Sequence, residues 1–506
     1  MRLLLLVSLL AGSGIIAPGW ASAFESRTRL ERRWPPCRGT LESIYAGDEL
    51  VFLHRSQLRA PRFEALLLLE KDRGERWCDL VSGGVGWIPD AGLLSYLRAG
   101  WLRATLGTGL VLDQSGGWGT GPVDASAKPP ARRAEASLST SAGASEGEPL
   151  TAVAAGMRLG GVSLSLIQGL SWLDTSQDGL HRTELEIDSR AGVREVLSAI
   201  RAEAGDIACS VATGTEAGAR QGSWLRGGMD WLVGRDGPVS ITAEAAAGWS
   251  DSTKAAFSVL LCPALDAGTV RTAVSLHHTS PGFPVGRSCP PGAPGETGLA
   301  WGVRLRPLSC TAIGALLELA DEGASSPGSA QARLSIEQRL APGLAASAKL
   351  RVSSDQPGER YLGGSLGLDW QLDRDVRVSA KAHACSFEPS GHDSTTVGAA
   401  LEVRLKLCPA HRLELTVAGA GYSTDDYETR IYLYEVCFPG QFGSLPVQGR
   451  GFLLQVGLRV RMSEAATVRA RIGHLAREGA ESMGSGYEET RGPHRTEVGL
   501  QLDWSI

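Results

Sequence analysis

The sequence predicts an all-β protein, an antiparallel transmembrane β-barrel of roughly 20 to 24 strands behind a cleaved signal peptide, and three observations carry that expectation. From about residue 332 to residue 506, side chains alternate apolar and polar strand after strand: Leu366, Leu368, Trp370 and Leu372 against Asp369 and Gln371, then Val376, Val378, Ala380, Ala382 and Ala384 against Arg377, Ser379, Lys381 and His383. A period of two is what an extended strand with unlike faces produces. Breaks in the pattern also alternate in length. Residues 341–343, 373–375, 408–412 and 463–466 are short, whereas 353–360, 386–395, 423–428, 438–451 and 476–493 are long and polar. Short turns at one end and long loops at the other are the layout of an outer-membrane barrel. The third observation lies at the amino terminus. Met1 and Arg2 precede an apolar run from Leu3 through Ile16, then Ala21, Ser22 and Ala23 in a small-x-small arrangement. That is the pattern of a secretory signal peptide over residues 1–23, with Phe24 as first mature residue.

Beyond residue 23 no run of about eighteen apolar residues occurs, so no membrane helix is expected. A barrel escapes such a test because only alternate residues face lipid, in keeping with a mean hydropathy of -0.05. The formal net charge of -5 excludes nucleic-acid binding driven by overall charge. The nine cysteines form no CxxC or Cys/His metal spacing, and their odd number leaves disulfide pairing open.

Taken in order, residues 24–60 read as a polar leader, either a periplasmic tail or a segment inside the barrel, and residues 61–506 as the barrel. Strands are expected over 63–70, 77–87 and 93–112. Residues 115–149, rich in Gly, Ser, Ala and Pro, read as a long extracellular loop. Residues 150–159 and 162–173 form a hairpin turned by Gly160 and Gly161. A strand over 180–187 and a short loop helix over 193–204 follow. Further strands are expected over 207–213, 224–233, 239–249, 255–262, 269–277, 299–305 and 310–319, with a proline-rich loop over 281–294. In the last strand Val498, Leu500, Leu502, Trp504 and Ile506 alternate with polar residues to the end of the chain. A terminal amphipathic strand of this kind resembles the signal that the bacterial barrel-assembly machinery reads, although the usual last residue is aromatic.

Three segments resemble a group of bacterial envelope proteins that contain a helix-hairpin-helix, competence-receptor-like module ahead of a barrel. They are residues 106–113 (LGTGLVLD), 179–184 (GLHRTE) and 432–440 (YLYEVCFPG), the last followed by Pro446 and Gly449-Arg450-Gly451. The resemblance covers about residues 60–506 and implies an outer-membrane barrel. No helix-hairpin-helix signature occurs, so its DNA-binding part is not carried over and no nucleic-acid partner is expected.

Chemistry concentrates on the polar alternates. Arg333, Arg339, Lys349, Arg351, Arg377, Lys381, Arg404, Lys406, Arg459, Arg461, Arg469 and Arg471 are the candidate lumen-lining residues, with acidic residues gathered in the long loops. A positive field in a narrow conduit concentrates anions. The other reading is structural: ion pairs to Glu337, Asp369, Glu402 and Glu414, or packing against an inserted segment. Tyr361, Trp370, Tyr432, Tyr434, Phe452 and Trp504 are candidates for the aromatic girdles. His277 and His278, adjacent on a strand, point to opposite faces and are poorly placed to share a metal. No GxSxG or HExxH motif marks a catalytic centre. The expectation is therefore a channel or transport conduit for small polar solutes, anions among them, without cofactor, metal or catalytic residues, contacting outer-membrane lipid and the assembly machinery. The alternative is a non-conducting scaffold that binds a periplasmic or surface protein.

Overall fold

In a computed structural model the chain is described over residues 23–76, 80–113, 137–140, 150–174, 182–188, 192–219, 221–234, 237–251, 253–284, 288, 290, 293–321, 328–354, 356, 358–391, 394–441 and 443–506. Residues 1–22 of the expected signal peptide, and most of 115–149, lie outside the described residues.

Twenty-four antiparallel strands close into one barrel. Each neighbour pair follows chain order, and the last strand, His494–Ser505, pairs with the first, Ala23–Trp34, from Glu25↔Ser505 to Trp34↔Thr496. Closure removes both sheet edges, which is what a sheet in lipid requires. Most strands run about twelve residues, and at ~3.3 Å per residue and ~40° of tilt they reach ~30 Å in height, enough for the ~25 Å apolar band of such barrels. That band is the outer face. Leu366, Leu401, Val403, Leu454, Leu500 and Trp301 stand 46–66 % exposed on it, while their sequence neighbours turn inward.

Residues 24–60 are not a leader. Ala23–Trp34 and Leu50–Arg59 are the first two barrel strands, paired from Ala23↔Arg59 to Arg32↔Leu50. Glu25, Arg27, Arg29, Glu31 and Arg33 alternate inward, yet Ser26, Thr28 and Arg32 on the opposite face blur the contrast that would reveal the strand. Val193–Ala204 is likewise a strand and not a helix, paired on both sides with Val162–Leu173 and Ile207–Gly218. The expected strand over 180–187 is replaced, within the described part, by a short helix, Glu184–Asp188.

The lumen is partly filled by the chain itself. After Leu94–Leu106 the loop 106–113 folds inward, and Leu110, Val111 and Leu112 are buried against Ala152, Ile167, Leu197, Ala212, Ala246 and Leu260 of the amino-terminal wall. On the opposite wall, the described residues of 425–449 form an inserted hairpin, Ile431–Tyr434 with Ser444–Val447. Ile431, Leu433 and Val447 pack on Cys385, Ala400, Ala420, Tyr422, Leu453 and Leu475.

Candidate functional site

The strand register puts the twelve candidate cations on the lumen face, and three pairs of them stand directly opposite one another: Arg333↔Arg351, Arg377↔Lys406 and Arg459↔Arg469. Like charges directly across a sheet are destabilising. The wall offsets this unevenly. Arg377 forms a two-pronged pair with Asp369, Nη2 to Oδ2 at 2.6 Å and Nε to Oδ1 at 2.9 Å. Arg469 pairs with Asp503, and Arg471 with Glu31 of the first strand. Arg333 reaches Glu318 at 3.7 Å. Glu414 is shared, Lys406 Nζ at 2.9 Å and Arg459 Nη1 at 3.5 Å. Glu402 is occupied by His383, 2.7 Å away. Among the described residues, Arg339, Lys349, Arg351, Lys381, Arg404 and Arg461 have no carboxylate within ion-pair distance. The wall therefore has a part braced by ion pairs and a part whose cations have no carboxylate partner among the described residues.

The inserted hairpin completes the site from the lumen side. Arg404 donates to the Tyr434 carbonyl at 3.1 Å, and the Lys381 ammonium lies 4.8 Å from the centre of the Tyr434 ring. Gln455 accepts from the Val436 N–H at 2.9 Å, and Gln441 donates to Glu31 at 2.5 Å. Between insert and wall lie two adjoining cavities, of about 630 Å³ and about 500 Å³, which share Asp369, Arg377, Ser379 and Arg404. Seven cations line them, Arg377, Lys381, Arg404, Lys406, Arg459, Arg469 and Arg471, against five carboxylates, Glu337, Asp369, Glu402, Glu414 and Glu435. The positive excess sits mostly in the second cavity, nearer the short turns.

The girdle expectation divides. Trp370, Phe452 and Trp504 are on the outer face, 46 %, 48 % and 37 % exposed. Tyr432 and Tyr434 belong to the inserted hairpin and not to a membrane edge, because Ile431 and Leu433 bind the wall and leave the tyrosines facing the lumen. Tyr361 is also a lumen residue, packed beside the Cys385 cluster with the Arg351 guanidinium 5.5 Å from its ring centre. Val498, Leu500, Leu502 and Trp504 lie outward on the closing strand. His277 and His278 do take opposite faces: His277 bonds Glu296 at 3.0 Å and His278 bonds Thr297 at 2.7 Å.

Sequence reasoning missed the interior of the amino-terminal half. Glu244 accepts from the Thr108 N–H at 2.5 Å, the Thr108 hydroxyl, and the Leu110 N–H at 3.2 Å, which fixes loop 106–113 inside the barrel. Beside it Arg201 pairs with Asp230, and Arg226 stacks on Trp224 at 3.9 Å. At the long-loop end, Glu488 accepts from the Tyr45 hydroxyl at 3.0 Å and from Arg182 at 2.8 Å, and the Ala46 N–H donates to the Arg182 carbonyl at 2.6 Å. Burial pushes the Glu488 carboxyl up, but Arg33, Tyr45, Arg73 and Arg182 outweigh it and hold the group below the usual carboxylate range. The described parts of the three resemblance segments thus fall in the inward loop, in this loop contact and in the lumen hairpin. His181 lies outside the described residues.

A closed antiparallel barrel with an apolar exterior and a charged interior defines a transmembrane barrel of the outer-membrane class. No protein-family model and no curated protein matches the chain. Solved structures similar to it include a mutant of the ferric enterobactin receptor of Pseudomonas aeruginosa in complex with enterobactin (9 % identity, 96 % of this chain and 81 % of that one, TM-score 0.46). The FrpB iron transporter of Neisseria meningitidis is similar at 8 % identity over 96 % of this chain and 83 % of that one, TM-score 0.44. An anion-selective porin from Comamonas acidovorans is similar at 10 % identity over 62 % of this chain and all of that one, TM-score 0.34.

Proposed function

We propose that the barrel resides in the bacterial outer membrane and is a conduit for small polar solutes, with a preference for anions. The observation that carries this reading is the pair of cavities between the inserted hairpin and the carboxy-terminal wall, where cations outnumber carboxylates and like charges face each other across strands. A solute path needs a polar lining and a field of one sign; a scaffold has no need to keep opposed arginines. The test is conductance of the refolded protein in a planar bilayer under a salt gradient. Channels whose reversal potential has the anion-selective sign support the reading, and a correctly folded barrel that passes no current sinks it.

A second reading, a non-conducting scaffold for a periplasmic or surface protein, draws on the two inward segments, 106–113 and 425–449, that occupy the lumen. It is favoured by the silent outcome. We also propose kinship with the competence-receptor-like envelope barrels. A solved barrel of that group that places its matching segments elsewhere than the lumen and loop end would count against it.

A further inference from the structure

Within the second cavity one group of side chains is arranged differently from the rest of the wall. Arg404 and Lys406 lie two residues apart on Thr396–Ala410, hence on one face and ~7 Å apart along the strand. Arg459, on Arg450–Arg461, stands opposite Glu414, on the strand Leu413–Thr424 that separates it from the other two. Glu414 is the carboxylate among them, held by Lys406 at 2.9 Å and more loosely by Arg459 at 3.5 Å. Arg404 donates instead to the Tyr434 carbonyl, through one terminal nitrogen at 3.1 Å. Of the three cations, two share one carboxylate and Arg404, among the described residues, has none. Other carboxylates of the wall are committed or weakly placed: Glu402 to His383, Asp369 to Arg377, Asp503 to Arg469, and Glu435 within hydrogen-bond reach of Gln455 at 3.4 Å.

We propose that Arg404, Lys406 and Arg459 form a binding site for a small oxyanion, the carboxylate or phosphate-type group of a solute, in the second cavity, where Arg404 also borders the first. It deepens the conduit reading and rests on it for its role. The guanidinium of Arg404 is oriented by a backbone carbonyl of the insert, so its remaining donors meet a planar or tetrahedral oxyanion without further ordering. Arg459 has a long, single contact to Glu414 and an opposed arginine, Arg469, beside it, so an arriving anion relieves repulsion as it binds. Lys406 holds Glu414 more closely than Arg459 does, which leaves the other Arg459 donors open to an anion. The insert contributes Val436, Cys437 and Phe438 to the lining of the same cavity.

The experiment is calorimetric titration of the refolded full chain in detergent with sodium sulfate against a sodium chloride background, alongside the bilayer conductance. Saturable sulfate binding is expected, weakened at least ten-fold by Arg404→Met and by Arg459→Met, retained by the charge-keeping Lys406→Arg, and unchanged by Arg271→Met on the other side of the lumen. Each variant is first required to give the β-sheet circular dichroism of the parent. No saturable binding by the parent, or equal weakening by Arg271→Met, overturns the site. A barrel that conducts anions without saturable sulfate binding leaves the conduit standing and removes the site. One that binds sulfate but carries no current keeps the site and removes the conduit.

Discussion

Leu433→Ala should loosen the inserted hairpin from the barrel wall. Leu433 is fully buried in the cluster formed by Ile431, Val447, Cys385, Tyr422, Leu453 and Leu475. Truncating a buried leucine to alanine costs ~2–5 kcal/mol, from lost transfer energy plus the cavity left behind. The polar ties of the insert, Cys385 Sγ to the Thr429 carbonyl at 3.3 Å, Arg404 to Tyr434, and Val436 to Gln455, contribute ~0.5–1.5 kcal/mol each in net terms. Leu433 therefore outweighs any one of them. At ~3 kcal/mol, and ~1.4 kcal/mol per factor of ten, the detached population rises about a hundred-fold. Cys385 reports it, because its thiol lies beneath the insert and is 7 % exposed. Its alkylation rate, followed by peptide mass spectrometry, should rise about a hundred-fold by the same arithmetic. Cys262, buried in the opposite wall cluster, should label as in the parent. If Cys385 labels at the parental rate, or equally fast in both proteins, the insert is not held by this apolar contact and the reasoning fails.

Other outcomes follow from the same contacts. A Cβ on Gly228 would lie 2.7 Å from Val111 Cγ2 and 2.8 Å from the Ala245 carbonyl, so Gly228→Ala should displace loop 106–113 and destabilise by ~1–3 kcal/mol, read as a lower urea midpoint; an unchanged midpoint contradicts it. Arg459→Gln removes one member of a like-charge pair while Glu414 keeps Lys406, so stability should hold or rise by ~0.2–1 kcal/mol as anion selectivity falls. A loss above ~1 kcal/mol would show that the Arg459–Glu414 contact is structural. The loop contact around Glu488 should depend on pH with a definite sign. Its folded value is depressed, so its contribution is present above the ordinary glutamate range, ~4.3, and is lost as pH falls through the lower folded value. Hydrogen exchange over residues 38–49, corrected for intrinsic rate, should show protection of the Ala46 amide disappearing on acidification below that range, and in Glu488→Gln its pH dependence should flatten.

The carboxy-terminal strands were legible because one face meets lipid and the other meets charge, so contrast is strong at every step. Where the inside is also apolar, the contrast vanishes. In Val193–Ala204 the inward Val193 and Leu197 are buried, Leu197 in the cluster with loop 106–113, while Val196 and Ile200 face outward, and together these four imitate a helical spacing. The first strand fails the opposite way, with Ser26, Thr28 and Arg32 on its outer face. Tyr432 and Tyr434 looked like girdle residues by type, but in the structure Ile431–Tyr434 has four residues, too few to span, whereas the sequence breaks left nine between loops. The cations were found by alternation alone. The partner Glu31 was not, since chain closure brings it to Arg471 from 440 residues away, and nothing local encodes that contact.

The central claim is that solutes pass between the inserted hairpin and the cationic wall. The most direct measurement is the current through Tyr434→Cys channels before and after reaction with a negatively charged and a positively charged methanethiosulfonate, compared with the parent. The account predicts that the anionic reagent reacts faster and that modification lowers the current. Unchanged current after complete modification, or faster reaction with the cationic reagent, would contradict it.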